Sequence, residues 1–278
     1  MAKSLTLRSI LVSVLLLVAF LAVWHVATLP KETALQGVDA EYAALMGGAA
    51  QQSGVPGPGA VAATFWEKLS DPFYDNGPND KGIGIQLAYS LARVLVGFVL
   101  AALVAVPLGF VIGMSPVMRG ALDPYVQILK PISPLAWMPL ALYTIKDSGI
   151  SSIFVIFICS LWPMLINTAH GVATVKKDWL NVAKTLEVGQ LRTAVQVILP
   201  AAAPTILTGM RISMGIAWLV IVAAEMLVGG TGIGYFVWNE WNNLALPNVI
   251  FAVVMIGLVG MALDQLFGLL QKAVTYRE

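Results

Sequence analysis

Arg93, Lys130, Arg211, Glu225 and Asp264 each stand inside a long apolar run. A charge in hydrocarbon is costly, so such residues face a partner charge, a bundle interior or a water-filled path. The chemistry open to them is charge pairing and the attraction of a small anion. Arg93 and Glu225 fall at similar depth in their runs and suit a buried pair. The alternative is that Arg93 faces a pathway. Arg211 and Lys130 lie deeper and rival Arg93 as anion-attracting groups, although Asp264 is an alternative partner for Arg211. Arg93, Lys130, Arg211 and Glu225 are therefore the candidate residues of any polar path through these runs. An anion passing such a path needs only a few donors and weak, reversible attraction, because tight binding stops release.

Other chemistries find no support. No set of His, Cys, Asp and Glu has metal-ligand spacing, so no metal is expected. His25 and His170 fall near the ends of apolar runs, where interfacial packing is their expected role. Cys159 sits in an apolar run and reads as a small core residue. The run Gly229-Gly230-Thr231-Gly232-Ile233-Gly234 resembles a phosphate loop in composition. It lacks the lysine and the strand, so it is expected to be an extracellular turn. Phe236, Trp238 and Trp241 beyond it read as an aromatic belt at the membrane interface. No cluster of polar residues at a catalytic spacing argues for an enzyme.

The elements that position these charges follow from composition. Of 278 residues, 58% are apolar and only 11% charged, and the mean hydropathy is +0.82. An ordinary soluble domain is about 45–50% apolar and about 25% charged. This balance excludes disorder and a disulfide scaffold and points to a polytopic, all-α membrane protein. The net charge of +1 leaves no footprint for nucleic acid. Apolar segments at 10–29, 84–114, 121–145, 150–172, 200–228 and 248–271 give about six spans. The first is read as a retained anchor helix, since Trp24 and His25 stand where a signal peptidase needs small residues. The third holds Pro124, Pro131, Pro134 and Pro139 and should be broken or kinked.

The chain divides into an anchor at 1–29, a loop at 30–83 and a five-helix core at 84–278 containing a polar segment at 175–200. Within the loop, residues 60–69 read either as a short helix lying on the membrane, with Phe65 and Trp66 at the interface, or as solvated loop with one helical turn. With the N-terminus inside, the inner segments hold nine basic residues (Lys3, Arg8, Arg119, Lys176, Lys177, Lys184, Arg192, Lys272, Arg277). The outer segments hold four, Lys31, Lys68, Lys81 and Lys146. The bias places both termini in the cytoplasm and the acidic 30–80 loop outside, in the periplasm of a diderm.

The segment at 175–200 is long for a connection between adjacent helices. Trp179, Leu180, Val182, Ala183 and Leu186 recur at helical spacing, opposite Lys177, Asp178, Lys184 and Glu187. Such a helix pinned between two spans is a handle for a soluble partner, or alternatively an interfacial shield. The order Asn181-Val182-Ala183-Lys184-Thr185-Leu186-Glu187-Val188-Gly189, then Ile198-Leu199-Pro200, resembles the EAA loop of bacterial ABC-importer permeases. Asn181, Val182 and Glu187 stand where that pattern usually has Glu, Ala and Gly. Gly189 is expected to supply the displaced turn.

Further stretches are similar to the nitrate/sulfonate/taurine permease family: 90–98 with Pro107-Leu108-Gly109, the proline-rich 130–140, and 215–226. Residues 71–77, 232–244 and 275–278 resemble its nitrate-type branch. The resemblance implies a type I ABC-importer-like permease fold and alternating access. It also implies a second permease copy, two cytoplasmic ATPase subunits that bind ATP and Mg, and a periplasmic or lipid-anchored binding protein. Trp179, Asn181, Val182, Ala183, Leu186, Glu187 and Gly189 would then couple the ATPase to the spans. The implied substrate is nitrate or nitrite, with cyanate, bicarbonate or sulfonate/taurine as alternatives. The chain has no G-x-x-x-x-G-K-[ST] loop, so the ATPase must be another subunit. A stand-alone secondary transporter is the competing reading, without an evident inverted repeat to favour it.

Overall fold

The computed structural model describes residues 2–29, 55–77 and 80–274, with side chains from residue 8 onward. Most of the loop expected at 30–80, including its acidic residues Glu32, Asp39 and Glu41, lies outside the described residues, as does the 275–278 motif. All described regular structure is helical apart from one isolated β-bridge, Asp75 with Lys81. Among the described residues, five helices are long and apolar enough to span a membrane, or six where the bent pair is counted as one span.

Two compact units are distinguishable. The first comprises the described parts of Met1–Asp71 together with Asn239–Val253. It contains α1 (Ala2–Ala27) and α2 (Pro58–Ser70). No residue of the 8–27 span is buried, as suits an anchor in contact with lipid. α2 is a full 13-residue helix started by Pro58 at its first turn, so 60–69 is more than a single turn. Phe65 packs edge-on against Phe251 at 4.7 Å, while Trp66 is 82% exposed.

The second unit, Pro72–Trp238 with Val254–Glu278, carries the candidate residues. It opens with a tight turn in which Lys81 contacts Asp75 at 2.5 Å and Gly84 N–H donates to the Pro72 carbonyl at 2.7 Å. α3 (Ile83–Met114) follows, then the bent pair α4 (Pro116–Leu129) and α5 (Pro134–Ile145), which meet at 89°. The expected kink is therefore a full break. Pro131 and Pro134 withhold two ladder N–H groups, and Ser133, preceding Pro134, is forced into extended backbone (ψ 132°). Pro124 and Pro139 are accommodated inside the two halves.

Asp147 caps α6 (Ser148–Ala173), its Oδ1 accepting from Ile150 N–H at 2.7 Å. α7 (Lys177–Thr185) and the one-turn α8 (Gln190–Thr193) form the polar connection. A π-turn at Ala194–Ile198 then leads into α9 (Leu199–Val228). Pro200 and Pro204 have no N–H to return to the preceding turn, and the wider π-turn absorbs that loss just upstream. α10 (Ile233–Asn242) and α11 (Leu246–Val274) complete the chain.

The core of this unit is α3, α6 and α9 packed at close range through glycine. A Cβ on Gly97 would lie 2.7 Å from Ile156, on Gly109 2.6 Å from Thr168, on Gly113 2.6 Å from Val172, and on Gly209 2.6 Å from Asn167. Between membrane helices there is little hydrophobic drive, so close backbone approach and dispersion hold them together. Cys159 is buried in the cluster joining α5, α6 and α9, as expected for a core residue.

Candidate functional site

Arg93 and Glu225 are brought together. Gln86, Ser90 and Arg93 lie along one face of α3, at i, i+4 and i+7. They meet the end of α9, where Glu225 is fully buried. Arg93 Nη1 donates to Glu225 Oε1 at 2.7 Å and to the Thr231 carbonyl at 2.6 Å. The Ser90 hydroxyl donates to the same carboxylate, 2.7 Å from Oε2.

This cluster also ends the chain's turn into α10. Gly232 N–H donates to Gln86 Oε1 at 2.6 Å, Ile233 N–H to Ser90 Oγ at 2.9 Å, and Gly234 N–H to Glu225 Oε2 at 3.0 Å. These are the leading amides of α10, which have no partners within the helix, and the cluster satisfies all three. A carboxylate at a helix start is also favoured by the helix dipole. The glycines are required here. Gly229 and Gly230 have φ of +73° and +93°. A Cβ on Gly232 would sit 2.2 Å from the Glu225 carboxyl carbon, and one on Gly234 2.1 Å from the Val222 carbonyl. The glycine run is thus a turn built against a carboxylate. Phe236 leaves the expected aromatic belt: it is 6% exposed, whereas Trp238 and Trp241 are 40% and 50% exposed.

Arg211 forms a different arrangement. It pairs with Asp264 of α11 through two parallel contacts, Nε to Oδ1 at 2.6 Å and Nη2 to Oδ2 at 2.5 Å. Both side chains are well exposed. Lys130 follows the last residue of α4 at the 89° bend and is exposed. No contact of Lys130 with the two pairs is seen among the described residues.

The coupling candidates lie on and after α7. Ala183 is buried at 4% exposure, and Leu180 packs with Val172, Ile198, Ala202 and Ile206, which ties the helix to α6 and α9. Trp179, Asn181, Val182, Leu186 and Glu187 are exposed. The turn is not at Gly189, which has φ −60° and ψ 152° and precedes α8 in extended form. Glu187 makes it instead, with φ +52°. Val188 N–H returns to the Ala183 carbonyl and Glu187 N–H to that of Lys184, both at 3.0 Å. That double closure needs a left-handed residue at Glu187, and it ends α7 before Gly189 is reached.

Gln86, Ser90 and Thr231 were not among the candidates from sequence. The signal was present for two of them: polar residues one turn apart in an otherwise apolar helix, next to Arg93. Thr231 acts through its backbone carbonyl, which no side-chain pattern reveals.

Residues 97–277 match the family described as the binding-protein-dependent transport system inner membrane component. The chain belongs to that family. It is the non-catalytic, multi-pass inner-membrane permease of an ABC importer, and ATPase and binding-protein partners are implied by its membership. Among relatives, the nitrate import permease NrtB of Synechocystis sp. is 44% identical over 226 residues, covering 81% of this chain and 82% of its own. NrtB of Synechococcus elongatus is 38% identical over 277 residues, 98% and 92% of the two chains. The bicarbonate transport permease CmpB of Synechocystis sp. is 43% identical over 207 residues, 74% of each. A chain of the inward-facing MetNI methionine ABC transporter has the same fold at 14% identity, with a TM-score of 0.60 over 68% of this permease and 94% of that chain.

Proposed function

We propose that this permease carries nitrate, or nitrite, across the inner membrane. The observation that supports it is the 44% identity to a nitrate import permease over 81% of the chain. A second reading, bicarbonate, is supported by the 43% identity to a bicarbonate permease over 74% of the chain. Both are small, planar, monovalent oxyanions. Arg93, Lys130, Arg211 and Glu225 serve this reading as the charged groups of the membrane core. Arg93 and Glu225 act by holding the turn into α10, because Arg93 Nη1 and both carboxylate oxygens of Glu225 are engaged there.

In this reading two copies of the chain pair and bind two cytoplasmic ATPase subunits. A periplasmic or lipid-anchored binding protein delivers the anion, and both termini face the cytoplasm. ATP and Mg are held by the partners. The segment 175–200 is the coupling element. The exposed Trp179, Asn181, Val182, Leu186 and Glu187 face the ATPase, while Ala183 and Leu180 pass its displacement to α6 and α9. Gly189 lets the chain extend between α7 and α8. ATP closure of the ATPase pair then moves the spans as rigid bodies between outward and inward openings.

The test is anion uptake into vesicles holding the whole complex, with nitrate and bicarbonate compared. Saturable, ATP-dependent nitrate uptake supports the reading, and uptake of bicarbonate alone replaces the substrate. Replacing Ala183 with Trp should leave the chain inserted while uncoupling hydrolysis from transport. Unchanged uptake in that variant would overturn the coupling assignment.

A further inference from the structure

The Arg211–Asp264 pair sits where lipid is not tolerated. Arg211 stands twelve residues into α9, about 18 Å along a helix about 45 Å long and well inside its apolar span. Its side chain is 39% exposed and that of Asp264 55%. A charged pair this open at that depth borders water or protein, because hydrocarbon contact is too costly. The pair opens on a groove of about 840 Å³, lined also by Gln265, Gly268, Gln271 and Lys272. Arg211 and Lys272 outweigh the single carboxylate, so the groove favours anions. Gly268 leaves space beside the guanidinium, since even an added Cβ would stay 3.7 Å away. The contrast with Glu225 is sharp: no backbone amide depends on Asp264 for capping among the hydrogen bonds described.

The contact geometry says what the groove would bind. Nε and Nη2 grip two oxygens of one planar carboxylate in parallel. Nitrate and bicarbonate present the same two oxygens on a planar trigonal centre. A guanidinium fork that fits one fits the other, whereas an ammonium, being a point charge, does not discriminate by shape.

We propose that Arg211 is a reversible oxyanion-binding residue on the transport path, at which the travelling anion changes places with the Asp264 carboxylate. Asp264 is the internal competitor that keeps the site weak. It fills the fork when no anion is there and displaces the anion toward release. No bond is made or broken in this exchange beyond the ion pairing itself. The assignment rests on the oxyanion reading above and adds a residue and a geometry to it.

The test uses the whole complex in vesicles, with nitrate and bicarbonate as the probes and co-purification of the ATPase as the check on assembly. Arg211→Lys keeps the charge and loses the fork; uptake should fall about ten-fold or more while assembly persists. Asp264→Asn removes the competitor and keeps the fork, so the half-saturating anion concentration should fall and maximal uptake should fall with it as release slows; an unchanged half-saturating concentration overturns the competitor role. The double variant Arg211→Gln with Asp264→Asn has no uncompensated charge. If the pair only staples α11 to α9, the double variant transports normally, and that result overturns the proposal. Should the double variant fail to assemble, Arg211→Lys decides alone: unchanged uptake overturns the assignment. The two readings fail separately. A wild-type complex that moves bicarbonate but not nitrate corrects the substrate and leaves the Arg211 test intact with bicarbonate. One that moves neither planar oxyanion sinks both.

Discussion

Among the described residues, two arginine–carboxylate pairs join helices of this permease, and they differ in what hangs on them. At Arg93–Glu225 the carboxylate is fully buried and also receives Ser90 and the Gly234 amide, while the Arg93 guanidinium holds the Thr231 carbonyl. At Arg211–Asp264 the two groups hold only each other among the described hydrogen bonds, and both face an open groove. The first pair is architecture: removing it strands helix-end amides and a buried charge. The second can be opened without leaving a backbone group unsatisfied. A charge in a membrane span is thus not a binding site because it is charged. In the proposal made for Arg211, it becomes one when its partner can be exchanged.

The strongest way to break this comparison is Arg93→Ala. It leaves Glu225 buried without its counter-ion and should cost about 3–5 kcal/mol, read as lost thermal stability in detergent. Glu225→Gln in the same chain removes the stranded charge and should recover much of it. If Arg93→Ala is stable but inactive, Arg93 is a pathway residue and the contrast collapses. Next is Gly232→Ala, which should cost about 1–3 kcal/mol because the backbone there suits only glycine and the new methyl meets the Glu225 carboxylate. Tolerance of alanine would mean the turn is not held against Glu225.

Away from both pairs, Glu187→Gly should stabilise the end of α7 by about 1 kcal/mol, since Glu187 is left-handed at φ +52°. Slower amide exchange at Val188 would report it. The smallest effect belongs to the exposed pair Asp75–Lys81. The hydrogen bond from Lys81 holds the Asp75 carboxyl below its ordinary value of 3.8. A depressed carboxyl contributes stability above its unfolded value and loses it as pH falls through the folded one. The Asp75–Lys81 contact should therefore loosen only in acid, below about pH 4. Lys81→Ala should return Asp75 to the ordinary range in a carboxyl-carbon titration.

Much of this was legible in the sequence, for physical reasons. Apolar runs report spans because the bilayer demands them. The proline cluster at 131–134 reports a break because proline lacks an N–H. Charges in apolar runs announce pairs, and Arg211 with Asp264 is one. The rest depended on tertiary geometry. The Gln86–Ser90–Thr231 part of the clamp is defined by where the turn into α10 lands on α3. The α7 turn was misplaced at Gly189 because glycine is the usual left-handed residue. Here the hydrogen bonds closing on Ala183 and Lys184 impose that backbone on Glu187. Phe236 was assigned to a belt by residue type, although burial depends on which side of α10 faces the bundle.

The central claim, an ABC permease for a planar oxyanion, is tested most directly by purifying the chain with its ATPase subunits and measuring hydrolysis with candidate binding proteins. The account predicts co-purifying ATPase activity that rises when a nitrate-loaded binding protein is added. Stimulation only by a binding protein for an unrelated, non-oxyanion solute would contradict it.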